Sequence, residues 1–399
     1  MNTRNFLIAV LVVYTCCSFA QHPISISPRI DTTNIRNKAI LELWQEYRQK
    51  RFENTFRRQT HDLSKYWAGS ELVYRSFDFY RERLLKFDYL YVITPSYTLK
   101  IDSIDSDMFS LQILSMLDNT HRDSVPKCED YYPAVLFSIK IIRDSIGYKL
   151  VNTFTFNKAK KQIYNIPPIR YYYDKDYPFD SLEVLQAHQK LLDFSEKYQL
   201  PFLNEPLIEF FVYPSVSIMN KDFGFDIHPF SQPSDIAPDI GGTQISENRM
   251  VFYGGLKSEG NIHEVLHILL RQITPKPTWF EEGVCTYYGG SVGKPYEEQK
   301  ARLIKYLKEH PQEDFSKTDV FNFSDLGYNY TYAIMAVLAE YAEKQWGAER
   351  VLEMLRFETE ANKNKSDFDA FWSLVSIYFE TDKSEFALLL REILEINNK

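Results

Sequence analysis

The sequence predicts an α+β protein: an N-terminal domain of helices and an antiparallel sheet, then a domain with a small sheet and a mostly helical C-terminal part. Three observations predict it. Residues 33–90 carry helical spacing of apolar side chains, as in Ile40, Leu43, Trp44 and Tyr47. From Asp88 to Phe156 the pattern changes to short runs of β-branched and aromatic residues with polar breaks. After Ser258 nearly every stretch returns to helical spacing. At 399 residues the chain is longer than one ordinary domain requires, so two domains are expected.

Residues 1–20 read as a signal peptide. Arg4 supplies the positive charge, Phe6 to Phe19 the apolar stretch, and Ser18-Phe19-Ala20 the small residues at a cleavage site before Gln21. Lipidation at Cys16 is the alternative, for which Val13-Tyr14-Thr15 is a poor context. The expected setting is periplasmic or extracellular. No later stretch approaches about 18 uninterrupted apolar residues, so the mature chain is expected to lack a transmembrane segment.

The N-terminal domain is expected over residues 21–165. Its strands read as Tyr89–Ile93, Tyr97–Ile101, Phe109–Leu117, Ala134–Ile142 and Tyr148–Phe156, with Asp144-Ser145-Ile146-Gly147 as a hairpin turn. The order loosely resembles the cone-shaped fold of nuclear-transport-factor-like domains, and no residue cluster in it demands a chemical role. A boundary is expected near 158–169, where Pro167-Pro168 interrupts any helix. The second domain then spans residues 166–399. It alternates a strand at Ile169–Tyr173, a helix at Ser181–Tyr198, a strand at Leu207–Tyr213 and another around Val251–Tyr253.

Composition narrows the function. A net charge of −8, with Lys158, Lys160 and Lys161 as the densest basic cluster, argues against nucleic acid as a partner. Cleavage after Ala20 leaves Cys128 and Cys285, too few for a disulfide framework. They are expected to be separate buried thiols. The 16% aromatic content reads as core and sheet surface.

The chemistry concentrates in Asn261-Ile262-His263-Glu264-Val265-Leu266-His267-Ile268. On a helix, residues four apart share a face, so His263 and His267 can converge on one metal. Glu264 is turned about 100° away, beside the metal instead of on it. Chance alone gives His-Glu-x-x-His in about one chain in a hundred of this composition, so context has to decide. A hydrolytic zinc needs a third protein ligand and an open position. Thr278-Trp279-Phe280-Glu281-Glu282-Gly283-Val284-Cys285 follows, after a rigid turn at Thr274-Pro275-Lys276-Pro277 that can fold a second helix onto the first.

Here the chain resembles the gluzincin (thermolysin-like, peptidase-MA-like) zinc metallopeptidases, whose second motif places the third ligand in a Glu before Gly. The resemblance implies Zn2+ on His263, His267 and Glu282, with Glu264 as the general base that activates water against a peptide bond. Glu281 is the rival ligand; otherwise it reads as a surface charge. The likeness extends more softly over about residues 168–395. Gly241-Gly242-Thr243-Gln244 and Asn248-Arg249-Met250-Val251 look like the edge strand that pairs with extended substrate. Tyr332 is similar to the tyrosine that supports the oxyanion in aminopeptidase-like members, with Tyr330 second and Tyr328 also in range. Two departures stand out: the His267 to Glu282 spacing is short for an aminopeptidase, and no Gly-x-Met-Glu-Asn-type signature is present. The only histidine after Glu282 is His310, in an apparent loop. The resemblance therefore implies an exported peptidase acting on peptides or proteins. The alternative is a non-catalytic binding or scaffold protein on the same fold, against which the retained Glu264 argues.

Overall fold

The computed structural model describes residues 25–75, 77–78, 96–118, 131–227, 240–255, 257–276, 278–291, 293–315, 320–325 and 328–396. The expected signal segment, the strand expected at Tyr89–Ile93, and Cys128 lie outside the described residues. The chain divides into two compact units, one of residues 1–161 and 220–232, the other of residues 162–219 and 233–399.

In the first unit a short strand β1 (Ser25–Ile26) precedes helix α1 (Ile35–Arg57). Asn34 starts α1 because its side chain accepts from the backbone N–H groups of Arg36 and Asn37. Ile40, Trp44, Tyr47 and Arg51 lie on its buried face. Strands β2 (Ser96–Ser103), β3 (Met108–Asp118), β4 (Tyr131–Arg143) and β5 (Tyr148–Val151) follow in antiparallel succession. Alternation fixes their register: Leu111 faces Ile139 and Ile113 faces Phe137 across the ladder, and all four are buried. The sequence reads Tyr148–Phe156 as one strand, but the strand stops at Val151 and a short helix α2 (Thr153–Lys158) takes over. Asn152, at the junction, is buried and its side chain donates to Glu71 and to Phe77 O.

The second unit is built on a five-stranded sheet of β6 (Gln162–Ile166), β7 (Ile169–Tyr173), β8 (Ile208–Tyr213), β10 (Gly241–Ile245) and β11 (Met250–Gly254), in the order β10-β11-β8-β7-β6. The three central strands are parallel and both edge strands antiparallel. Parallel β7 and β8 need a crossover, and helix α3 (Ser181–Tyr198) provides it. It is capped by Asp180 and buries Val184, Ala187, Leu191, Phe194 and Tyr198 at helical spacing. Between β8 and β10 come helix α4 (Val216–Asp222) and strand β9 (Phe225–Ile227), which pairs with β4 in the first unit's sheet.

From His263 onward the second unit is helical: α5 (His263–Leu270), α6 (Trp279–Gly289), α7 (Tyr296–Glu309), α8 (Tyr330–Ala361, broken at Gly347), α9 (Asp367–Tyr378) and α10 (Phe386–Ile393), with one two-stranded ladder, β12 (Ser324–Asp325) and β13 (Tyr328–Asn329). The fold is therefore α+β. Among the described residues no helix is long and apolar enough to cross a membrane.

Candidate metal centre

Helix α5 is apolar almost all round. Seven of its eight residues are buried, including both histidines, and Glu264 is the partly exposed exception. Such burial holds the imidazoles in fixed orientations. Helix α6, which packs against α5, is started by Thr278, whose side chain accepts from the N–H of Glu281 at 3.2 Å. It also packs closely on α8. A Cβ on Gly283 would stand 2.4 Å from the carbonyl oxygen of Met335, which explains why glycine follows Glu282.

These two helices bring His263, His267 and Glu282 together. The Nε2 atoms of the two histidines are 3.2 Å apart. The Glu282 carboxylate lies 3.3 Å from Nε2 of His263 and 3.5 Å from Nε2 of His267. Ligands about 2.1 Å from a common centre at tetrahedral angles stand about 3.4 Å from one another. With Oε2 of Glu282 toward His263 and Oε1 toward His267, the three donor groups are close enough together to share one zinc ion.

The far sides of both rings agree with that reading. Nδ1–H of His263 donates to Gly290 O at 2.7 Å, and Nδ1–H of His267 donates to Glu281 Oε1 at 2.6 Å. Each ring thus commits its proton away from the centre and turns a lone pair inward. Two inward lone pairs at 3.2 Å need a proton or a metal cation between them. Burial opposes charge on His267, yet the Glu282 and Glu281 carboxylates push its pKa upward. Burial likewise resists ionisation of Glu282, but His267 and His263 hold its carboxyl far below the ordinary range. Positive charge at the centre is thus favoured by its surroundings, and the donor set fits a zinc ion.

Glu264 lies within electrostatic reach of both histidines and of Glu282 but is not part of the donor group. Burial raises its pKa above the ordinary carboxylate value, the two histidines oppose the rise, and Glu282 adds to it. Strand β10 passes close by: a Cβ on Gly242 would come within 2.8 Å of Glu264 Cγ and 2.9 Å of its Oε1. Close approach of backbone to the carboxylate explains glycine here.

Tyr332 lies within electrostatic reach of Glu282 and Glu264. Its hydroxyl pKa is pushed up to about 12 by burial, then by the charges of Glu282 and Glu264. Tyr330 is a core residue, with its ring 4.9 Å from Tyr306 and 5.2 Å from Phe323. The Tyr328 side chain lies outside what is described. His310 is exposed and bonds to Tyr306 O at 2.9 Å.

Glu281 corrects the sequence reading. It is not a surface charge: its relative exposure is 0%. Besides His267, it pairs with Arg271, whose Nη1 stands 3.1 Å from Oε1 and 3.2 Å from Oε2. The signal that could have found it is its spacing, since Val284 and Cys285, three and four residues on, are both buried. His267, Glu281 and Cys285 also form a second compact donor group. Its members are engaged with one another and with the Arg271 cation, and burial keeps Cys285 a thiol, its pKa pushed up to about 12. A dication is therefore disfavoured there.

A second buried carboxylate was not signalled at all. Glu358, on α8, accepts from the N–H of Phe280 at 3.0 Å and so holds the first turn of α6. Further along these helices, Glu343 accepts hydroxyl protons from Tyr198 and Tyr288 and pairs with Lys197 at 2.7 Å. That network ties α3, α6 and α8 together around the helix that carries Glu282.

No family model and no curated protein matches this chain. Among solved structures, it is similar to yeast LTA4 hydrolase in complex with bestatin, at 14% sequence identity and a TM-score of 0.28, over 77% of this chain and 45% of that one. The match spans less than half the length of that protein. Superposition at this level says nothing about activity.

Proposed function

We propose that the chain is an exported zinc-dependent metallopeptidase of the gluzincin type, hydrolysing peptide bonds with Glu264 as its general base. The observation that carries the reading is the grouping of His263, His267 and Glu282: the two Nε2 atoms are 3.2 Å apart, and Glu282 Oε2 and Oε1 lie 3.3 Å from His263 and 3.5 Å from His267, with Glu264 close by. Zinc bound there supplies a Lewis acid that acidifies water and polarises a carbonyl.

The chain's own residues do the rest. Glu264 takes a proton from the attacking water and returns it to the amine nitrogen as the C–N bond breaks. Burial holds its pKa above the ordinary carboxylate value, which makes it a stronger proton acceptor than a solvated carboxylate. The Tyr332 hydroxyl stays protonated at working pH and donates to the carbonyl oxygen as negative charge develops on it. Strand β10 is an edge of its sheet among the described residues and runs beside Glu264. An extended peptide added to that edge presents its backbone carbonyls to the centre.

The test is digestion of a mixed peptide library by the zinc-loaded full chain, with and without a chelator. Chelator-sensitive cleavage of internal or terminal peptide bonds is expected. A zinc-loaded chain that binds peptides and cleaves none contradicts the enzyme reading and favours a binding protein on this fold.

A further inference from the structure

We infer that Glu281, held by Arg271, is a positioning residue for the metal centre: its carboxylate locks the His267 ring with Nε2 inward and sets how tightly metal is retained. The inference rests on the metallopeptidase reading above. Neither residue touches the centre itself.

The argument starts from helix geometry. Glu281 and Glu282 are adjacent on α6, so their side chains diverge by about 100°. One carboxylate faces the metal space and the other turns into the interior. An interior carboxylate is costly unless paired and hydrogen-bonded. Helix α5 and its C-terminal cap residue satisfy it from two positions four residues apart. His267 donates its Nδ1–H at 2.6 Å, and Arg271, one turn later, supplies the counter-charge at 3.1 and 3.2 Å. Arg271 is itself fixed at two further points. Its Nη1 donates to Thr274 O at 2.7 Å and its Nε to Ser246 Oγ at 3.2 Å. The carboxylate is therefore held from the α5–α6 turn and from the turn joining β10 to β11.

The two histidines differ in consequence. His263 is backed by a neutral carbonyl, Gly290 O, and His267 by an anion. A carboxylate behind a ligating imidazole orients the ring and strengthens it as a donor. His267 is therefore the ring whose metal affinity depends on a residue that substitution can change. A purely structural role for the Glu281–Arg271 pair would affect folding and leave metal affinity in the folded chain alone.

The experiment compares the full-length chain with Glu281→Gln, which keeps the shape and one acceptor oxygen but removes the charge. The zinc dissociation constant is measured by chelator competition at a single pH. The Tm of the metal-free proteins and the visible absorption of their cobalt-loaded forms are recorded alongside. Zinc binding weakened by about 10- to 100-fold, with an altered cobalt spectrum and a metal-free Tm near wild type, is expected. Should the single variant fail to fold, Glu281→Gln with Arg271→Met leaves no buried charge unpaired and is expected to show the same weakening. Wild-type zinc affinity in a folded variant overturns the inference while leaving the metallopeptidase reading intact. A wild-type chain that takes up no zinc overturns that reading, and this inference with it.

Discussion

His267 stands between two neighbouring carboxylates of one helix: Glu281 Oε1 is 2.6 Å from its Nδ1, and Glu282 Oε1 is 3.5 Å from its Nε2. One side chain has the proton side of the ring and the other has the lone-pair side. A single turn of α6 thereby fixes which ring nitrogen is left for a metal.

The base should be separable from the ligands. Glu264→Gln is expected to retain zinc in full while peptide hydrolysis falls by about 100- to 10,000-fold. Metal content and kcat on one cleaved peptide, measured on the same preparation, check this. Undiminished turnover would refute the role given to Glu264.

Tyr332→Phe removes one hydroxyl within electrostatic reach of Glu282 and Glu264. Turnover is expected to drop by about 100-fold, with zinc content and Tm unchanged. The drop should fall on kcat more than on KM, because the hydroxyl acts on charge that develops only as the bond is attacked. Wild-type kcat in this variant would return Tyr332 to a packing role.

Glu358 gives a pH dependence with a definite sign. Burial, reinforced by the nearby Glu281 charge, pushes its pKa up to about 7 from 4.5, while hydrogen bonds from Thr278, Phe280 and Trp279 oppose the rise. Between those values the folded chain holds a proton that the unfolded chain has released. Glu358 is thus expected to lower stability progressively as pH rises from 4.5 to about 7, by about 3 kcal/mol in all, with no further change above. Urea unfolding of wild type and Glu358→Gln across that range reads it. Equal pH profiles in the two would rule the effect out.

Gly283→Ala tests the helix contact behind Glu282. The added methyl would stand 2.4 Å from Met335 O and 2.6 Å from its carbonyl carbon, so α6 and α8 must separate. Destabilisation of about 1–3 kcal/mol is expected, accompanied by weaker zinc binding because Glu282 moves with α6. A variant with wild-type Tm would mean that the helices part at no cost.

What the sequence reveals and what it hides follow from the range of the interactions. The His263, Glu264 and His267 set is legible because a helix alone places residues four apart on one face, and Gly283 marks Glu282 through a motif eight residues long. The helix at Ser181–Tyr198 is legible from its own spacing and its Asp180 cap. Glu281 was misread because a charge beside another charge on a helix looks solvated, and the cation that neutralises it, Arg271, belongs to a different helix. Glu358 lies near the C-terminal end of α8 and acts on the N-terminus of α6, a pairing that no local pattern encodes. The same holds for β9, whose Phe225 and Ile227 pair with β4 across about 90 residues of chain. Where the strand ends at Val151, Asn152 is anchored by Glu71 and Phe77, distant residues that no local pattern signals.

The most direct test of the central claim is the metal content of the purified wild-type chain beside Glu282→Ala, by elemental analysis after chelator-free purification. The donor group predicts about one zinc per wild-type chain and a large loss in the variant, with the variant still folded. Wild-type protein that carries no zinc and takes none up would contradict the account, and so would a Glu282→Ala chain that holds zinc as tightly as wild type.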